Sequence, residues 1–219
     1  MLRTLAAMLL LFLALGSPIS PAQTDDCDLV QSIINSAASG GSGVLPQGTL
    51  TVRCTLNATD TQGGRLVGGG KYGGTTIVGL VQGQPVLDMT GATNWTLEDF
   101  AIVSDPQKTG AQPSVSVLMA RSTTRPNCNG HAFTNMAFGG HPSLAAVAFL
   151  GCEDNRFINV DSGVDTPTAY ALYASDSNNA LGVTSPYKTL APGTSANNLW
   201  VGGTISNTGQ TTYSANAAT

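Results

Sequence analysis

The chain has 219 residues, 13 of them acidic and nine basic, for a formal net charge of −4. Charged residues make up only 10% of it, against roughly 25% in ordinary globular domains, and 26 glycines with many Thr, Ser and Asn take their place. This balance excludes a nucleic-acid binder, which needs a basic face. It favours short strands and tight turns, and it disfavours a long polyanionic glycan unless a cation bridges the charges.

Residues 1–22 carry Arg3, an apolar run over 5–15, and the small-residue tail Ser20-Pro21-Ala22. This reads as a secretory signal peptide. The run is shorter than the ~20 apolar residues of a spanning helix, and no other segment is a candidate span. The expected location is therefore extracellular or periplasmic, with no membrane contact after the leader is removed. Residues 23–219 fit one domain. An exported chain with four cysteines, Cys27, Cys54, Cys128 and Cys152, is expected to form two disulfides. No Cys-x-x-Cys pair or His spacing points to a metal site.

Residues 27–52 predict a helix over about 28–38, with Leu29, Val30, Ile33 and Ile34 on one face. A Gly/Ser turn follows, then a strand entered through Leu45-Pro46-Gln47-Gly48. Residues 65–79 add Leu-Val-Gly-Gly-Gly and then Thr-Thr-Ile. This layout resembles the opening of the pectate-lyase-like superfamily. The resemblance implies an all-β fold, a single-stranded right-handed parallel β-helix with an N-terminal capping α-helix, and a polysaccharide ligand. It is clear over residues 27–102 and rests on repeat pattern alone beyond them.

Four segments align without gaps: 94–102, 130–138, 154–162 and 197–205. Each has an apolar residue (Leu97, Phe133, Phe157, Trp200) followed two positions later by a turn former (Asp99, Asn135, Asn159, Gly202). Three copies then alternate out to Ile102, Phe138 and Ile205, whereas the third ends in Asp161-Ser162. Strand, one-residue bend and strand is the physical reading, because Asn, Asp and Gly tolerate left-handed angles. The 24-residue offset between Asn135 and Asn159 is about one solenoid coil, with longer offsets holding loops. Asn135 over Asn159 would form an amide ladder. The competing antiparallel sandwich needs hairpin turns, and only Asn129-Gly130 qualifies.

The register also pairs the cysteines. Cys128 and Cys152 each precede a repeat by two positions, so they stack on adjacent coils. Strands ~4.8 Å apart fall within the Cα reach of a disulfide, about 4.4–6.8 Å. Cys128–Cys152 is therefore predicted, and Cys27–Cys54 follows by elimination.

Candidate chemistry is sparse. Pectate lyases of the superfamily hold calcium on clustered aspartates, which makes calcium the one cofactor the resemblance implies; the residues themselves call for none. Gly139-Gly140-His141 and Glu153-Asp154 echo two polygalacturonase motifs, but in reverse order and without the other two. No catalytic residue carries over. The remaining candidates are Asp154, Asp161 and Asp165 on one coil, with Glu153 and Arg156 beside them and His141 in the preceding loop. Asp161 breaks the repeat where other early copies have alanine. Glu98-Asp99 is read as a turn pair and His131 as a packed residue. Trp95 is expected to face outward as a sugar contact, and Trp200 inward. Asn57 and Asn94 head glycosylation sequons.

Two functions compete. One is a secreted β-helix protein that binds or degrades an extracellular polysaccharide, of lyase or glycosidase type. The other is a non-catalytic structural or adhesion module of a cell-surface or tail-fibre-like assembly. The polar end after Ile205 lacks an obvious cap, so a C-terminal truncation, a covering tail, or an oligomer or partner at that end is expected.

Overall fold

A computed structural model describes residues 24–175 and 195–207. The expected signal peptide and the polar tail after residue 207 lie outside the described residues. Helix α1, Cys27–Ala37, opens the fold. It buries Val30, Ile34 and Ala37 and packs against the first strands. Leu29, expected on the same face, is 45% exposed; the i, i+4, i+7 stripe is narrower than the sequence reading.

Every strand pairing among the described residues is parallel, which rules out the sandwich. Sheet A contains β1 (Ser42–Val44), β4 (Gln62–Val67), β7 (Thr93–Glu98), β10 (Ala132–Thr134), β13 (Arg156–Ile158) and β16 (Leu199–Val201). Sheet B contains β2 (Gly48–Val52), β5 (Thr75–Gly79), β8 (Ala101–Ser104), β11 (Ala137–Gly140), β14 (Asp161–Val164) and β17 (Ile205–Asn207). Sheet C contains β3 (Leu56–Asn57), β6 (Leu87–Asp88), β9 (Val115–Ala120), β12 (Ala145–Leu150) and β15 (Tyr170–Ser175). Neighbours within a sheet are three strands apart in sequence, so the chain visits A, B and C in turn. This is a parallel β-helix.

The four predicted bend residues join sheets A and B, all at positive φ: Asp99 (60°), Asn135 (52°), Asn159 (53°) and Gly202 (68°). The amide ladder forms: Asn159 Nδ2 donates to Asn135 Oδ1 at 3.0 Å, and Asn135 Nδ2 to Asp99 Oδ1 at 2.5 Å. At the C-to-A corner a second column repeats the device with Asn94, Gly130, Asp154 and Asn197, at φ of 58°, 72°, 56° and 55°.

The apolar repeat position becomes the core. Leu66, Leu97, Phe133, Phe157 and Trp200 are in register across sheet A. Phe157 stacks on Phe133 at 4.9 Å and on Trp200 at 4.7 Å between ring centroids. Each such pair contributes about 0.5–1.5 kcal/mol beyond burial. A second cluster, Val115, Leu118, Ala120, Ala145, Ala148 and Leu150, lies on the other face of sheet C. Both disulfides have the predicted connectivity, Cys27–Cys54 and Cys128–Cys152.

Trp95 corrects an expectation. It is fully buried, with its indole N–H donating to Thr61 Oγ1 at 2.9 Å. Residues 95 and 97 are two apart on one strand, so they share a face. Trp95 points inward with Leu97 and is not a sugar contact.

Candidate functional site

Of the six ionisable candidates, five are distributed over three corners of the solenoid and Arg156 lies on sheet A. At the C-to-A corner, Glu153 pairs with Arg121 at 2.8 Å, and Asp154 occupies an exposed left-handed bend. Arg156 is exposed on sheet A between Ala132 and Leu199. At the A-to-B corner stands Asp161. At the B-to-C corner are His141 and Asp165. Proximity along one coil does not bring them together, because a coil turns a corner every few residues.

Asp161 is the most heavily engaged. It meets Lys71 Nζ at 2.7 Å and accepts from Tyr72 OH at 2.6 Å and Thr204 Oγ1 at 2.8 Å. Burial pushes its carboxyl up, but those hydrogen bonds and the Lys71 charge outweigh it and hold the group at about 2. The bond to Asp161 pushes the Tyr72 phenol up to about 12, with burial and the carboxylate charge adding to it. Lys71 and Tyr72 come from residues 68–74, an insertion between β4 and β5 where later coils have a single bend residue. Gly70 and Gly73, at φ of 129° and 72°, let this strap turn and run along the bend ladder. Lys71 Nζ also donates to Asn159 Oδ1 at 3.2 Å and to its carbonyl at 3.0 Å, closing the ladder.

The B-to-C corner carries a concave site. The register Ser104 to Gly140, continued through β11 and β14, stacks Asp105, His141 and Asp165 on three successive coils. Backbone bonds hold the column: the His141 amide donates to Ser104 at 2.6 Å and the Asp165 amide to Gly140 at 2.9 Å. A cavity of about 320 Å³ opens here, lined among others by Asp105, Lys108, Gln112, His141, Asp165 and Thr166. His141 Nε2 lies 3.9 Å from Asp165 Oδ2. The imidazole is nearly buried, whereas the Asp165 side chain is 55% exposed. Asp105 is buried and committed to its own loop. Its Oδ1 accepts from the Thr109 amide and hydroxyl, both at 2.8 Å, and its Oδ2 from the Gly110 amide at 3.1 Å. That loop carries Lys108 and Gln112 to the cavity.

Sequence reasoning missed Asp105, Lys108 and Gln112. The signal existed: Asp105, His141 and Asp165 each follow a bend residue by six positions. Lys71 and Tyr72 had a weaker signal, the extra residues in the looser second copy.

Calcium needs six or more oxygen ligands. No group of three His, Cys, Asp or Glu side chains that could hold a metal occurs among the described residues.

The fold and this corner groove define the class: a disulfide-tied parallel β-helix with a cleft at one corner. No family model and no curated protein matches the chain. Among solved structures it is similar to "Geobacillus virus E2 - ORF18", at 16% sequence identity and a TM-score of 0.56. The match covers 87% of this chain and 40% of that one, so the chain spans less than half the length of that viral protein. At this identity the likeness shows the fold alone. The two disulfides suit an oxidising compartment, and no helix among the described residues is long and apolar enough to cross a membrane.

Proposed function

We propose that this protein is exported and binds or degrades an extracellular polysaccharide in the groove of Lys108, Gln112, His141 and Asp165. The observation that carries the reading is the in-register column Asp105–His141–Asp165 at the mouth of the cavity. It places an imidazole beside an exposed carboxylate, with a lysine and an amide opposite, in a cleft of ligand-binding size. Sugar hydroxyls are met by such alternating donors and acceptors, and imidazole and carboxyl groups are the side chains general acid–base catalysis uses. Glycoside hydrolysis by the common route takes two carboxyl groups about 5–9.5 Å apart. Asp165 supplies one, while Asp105, two coils or about 10 Å away along the stack, is occupied by its loop.

The test is incubation of the mature protein with a panel of neutral and acidic polysaccharides. Unsaturated, ultraviolet-absorbing product identifies a lyase; reducing ends without it identify a hydrolase. Binding without product, lost in His141→Ala and Asp165→Ala, identifies a binding module. No binding and no product on any glycan refutes the reading.

A second reading, a structural β-helix module of a larger assembly, is favoured by the likeness to the viral protein, of which this chain spans 40%. It predicts wild-type behaviour of both groove variants.

A further inference from the structure

The strap 68–74 starts on the second coil and ends its reach on the fifth. Its attachments are at both ends and in the middle. The Gly70 amide donates to the Asp99 carbonyl at 2.6 Å, and the Gly48 amide donates to the Gly74 carbonyl at 2.7 Å. Between them Lys71 and Tyr72 are fixed on Asp161. Tyr72 nevertheless leaves 70% of its surface exposed, and among the described residues it is the one aromatic in the set of exposed large hydrophobic side chains.

An exposed ring is common when it is loose. This one is held by its hydroxyl on Asp161 and by the Lys71 ammonium 5.4 Å from its centroid. A ring fixed before a ligand arrives saves the ordering cost at binding. The apolar face of a pyranose is a natural partner for a ring whose polar tip is already bonded.

Its position ties it to the groove. Asp161 and Asp165 bracket β14, so the strap contact and the groove stand at opposite ends of one four-residue strand, ~13 Å apart at strand rise. The outward positions between them carry almost no side chain: Ala137, Gly139 and Gly163. Among the described residues the outward side chains flanking this path are Val103, in register with Gly139, and Ser206, in register with Gly163, so the face between ring and cleft is lined by small side chains and one valine.

We propose that Tyr72 is a carbohydrate-stacking residue, and that a saccharide held in the Lys108–His141–Asp165 groove crosses the outer face of sheet B onto its ring. This rests on the polysaccharide reading and adds to it a second contact and the direction of the bound chain.

Affinity electrophoresis of the mature protein in gels containing β-glucan, xylan or polygalacturonate tests it. With a retarding glycan, Tyr72→Ala weakens retardation about tenfold, the size of one lost stacking contact, while Tyr72→Phe loses clearly less, because the ring remains and only its hydroxyl anchor is gone. Equal loss in both variants shows that the hydroxyl latch matters and the ring does not, and overturns the inference. So does wild-type retardation of Tyr72→Ala alongside loss in His141→Ala, which leaves the polysaccharide reading intact. No retardation of the wild type by any of the three overturns the inference together with that reading for these glycans. A thermal melt of each variant separates loss of fold from loss of binding.

Discussion

Lys71 Nζ stands 2.7 Å from Asp161 Oδ2, a contact between the second and fifth coils. The Gly68 and Gly70 amides tie the start of the strap to the Glu98 and Asp99 carbonyls of the third coil, and this ion pair, with the Tyr72 bond beside it, is the latch of its far end.

Asp161→Asn removes the charge and weakens the latch. A partly covered pair of this kind contributes about 1 kcal/mol. Trypsin cleavage after Lys71 is expected to be roughly fivefold faster in the variant, read by mass spectrometry of early digests. Unchanged cleavage would show that the strap is held without the ion pair. The pH sense follows from the depressed carboxyl. The latch is fully present above the ordinary carboxylate value of 3.8 and is lost as pH falls towards about 2.

His131 gives a pH dependence of the opposite origin. It is fully buried, its Nδ1 accepts the Trp95 amide at 3.3 Å, and its Nε2 has no hydrogen-bond partner. Burial lowers it from 6.5 to about 4, only partly offset by the Ala92 backbone. In that window the unfolded chain binds a proton that the native state does not. Stability therefore falls as pH drops from 6.5 towards 4, by roughly 3 kcal/mol at most. The adjacent coils point to a substitute. Asn155 accepts the His131 amide at 2.9 Å, and Asn198 accepts the Asn155 amide at 3.1 Å. His131→Asn preserves this side-chain ladder without the titration. Its urea midpoint is expected to vary less with pH over this window; parallel curves for the two proteins would refute the assignment.

Gly64 pairs with Trp95 in sheet A, and a Cβ placed on it would sit 2.7–2.8 Å from three carbons of the indole. The indole has little room to move, being fully buried and bonded to Thr61. Gly64→Ala is expected to cost about 1–3 kcal/mol by overpacking, measured by urea denaturation. A neutral result would show that Trp95 has slack and would weaken its reading as a fixed core residue.

The difference between what the sequence showed and what it hid follows the period of the fold. Leu97, Phe133, Phe157 and Trp200 recur with their bend residues, so the core column, the amide ladder and both disulfides were legible from alignment of four segments. Trp95 was misplaced by ignoring that 95 and 97 share a strand face. The ionisable cluster was misread for a related reason: residues 154, 161 and 165 are close in sequence, yet each lies at a different corner. Neighbourhood in a solenoid runs between coils, through Ser104, Gly140 and Val164, and not along one coil. The strap was hidden because its partners lie 88 and 89 residues away and no local pattern records them.

Asp105 tests the inter-coil reading directly. It shares the column of His141 and Asp165, but its oxygens are divided, Oδ1 to the two Thr109 donors and Oδ2 to the Gly110 amide. It acts on the groove by positioning the loop that carries Lys108 and Gln112. Asp105→Ala removes all three bonds to a charged acceptor, a local loss of roughly 2 kcal/mol. The Thr109 and Gly110 amides should then exchange hydrogen about 30-fold faster. Asp105→Asn discriminates further, because an amide group offers one acceptor atom where the carboxylate offers two. With its oxygen facing Thr109, the NH₂ meets the Gly110 amide donor to donor, so Thr109 stays protected while Gly110 does not. Equal protection of both amides in the Asn variant would mean that the carboxylate does not hold this loop. The groove wall would then have to be positioned by something other than the stacked column.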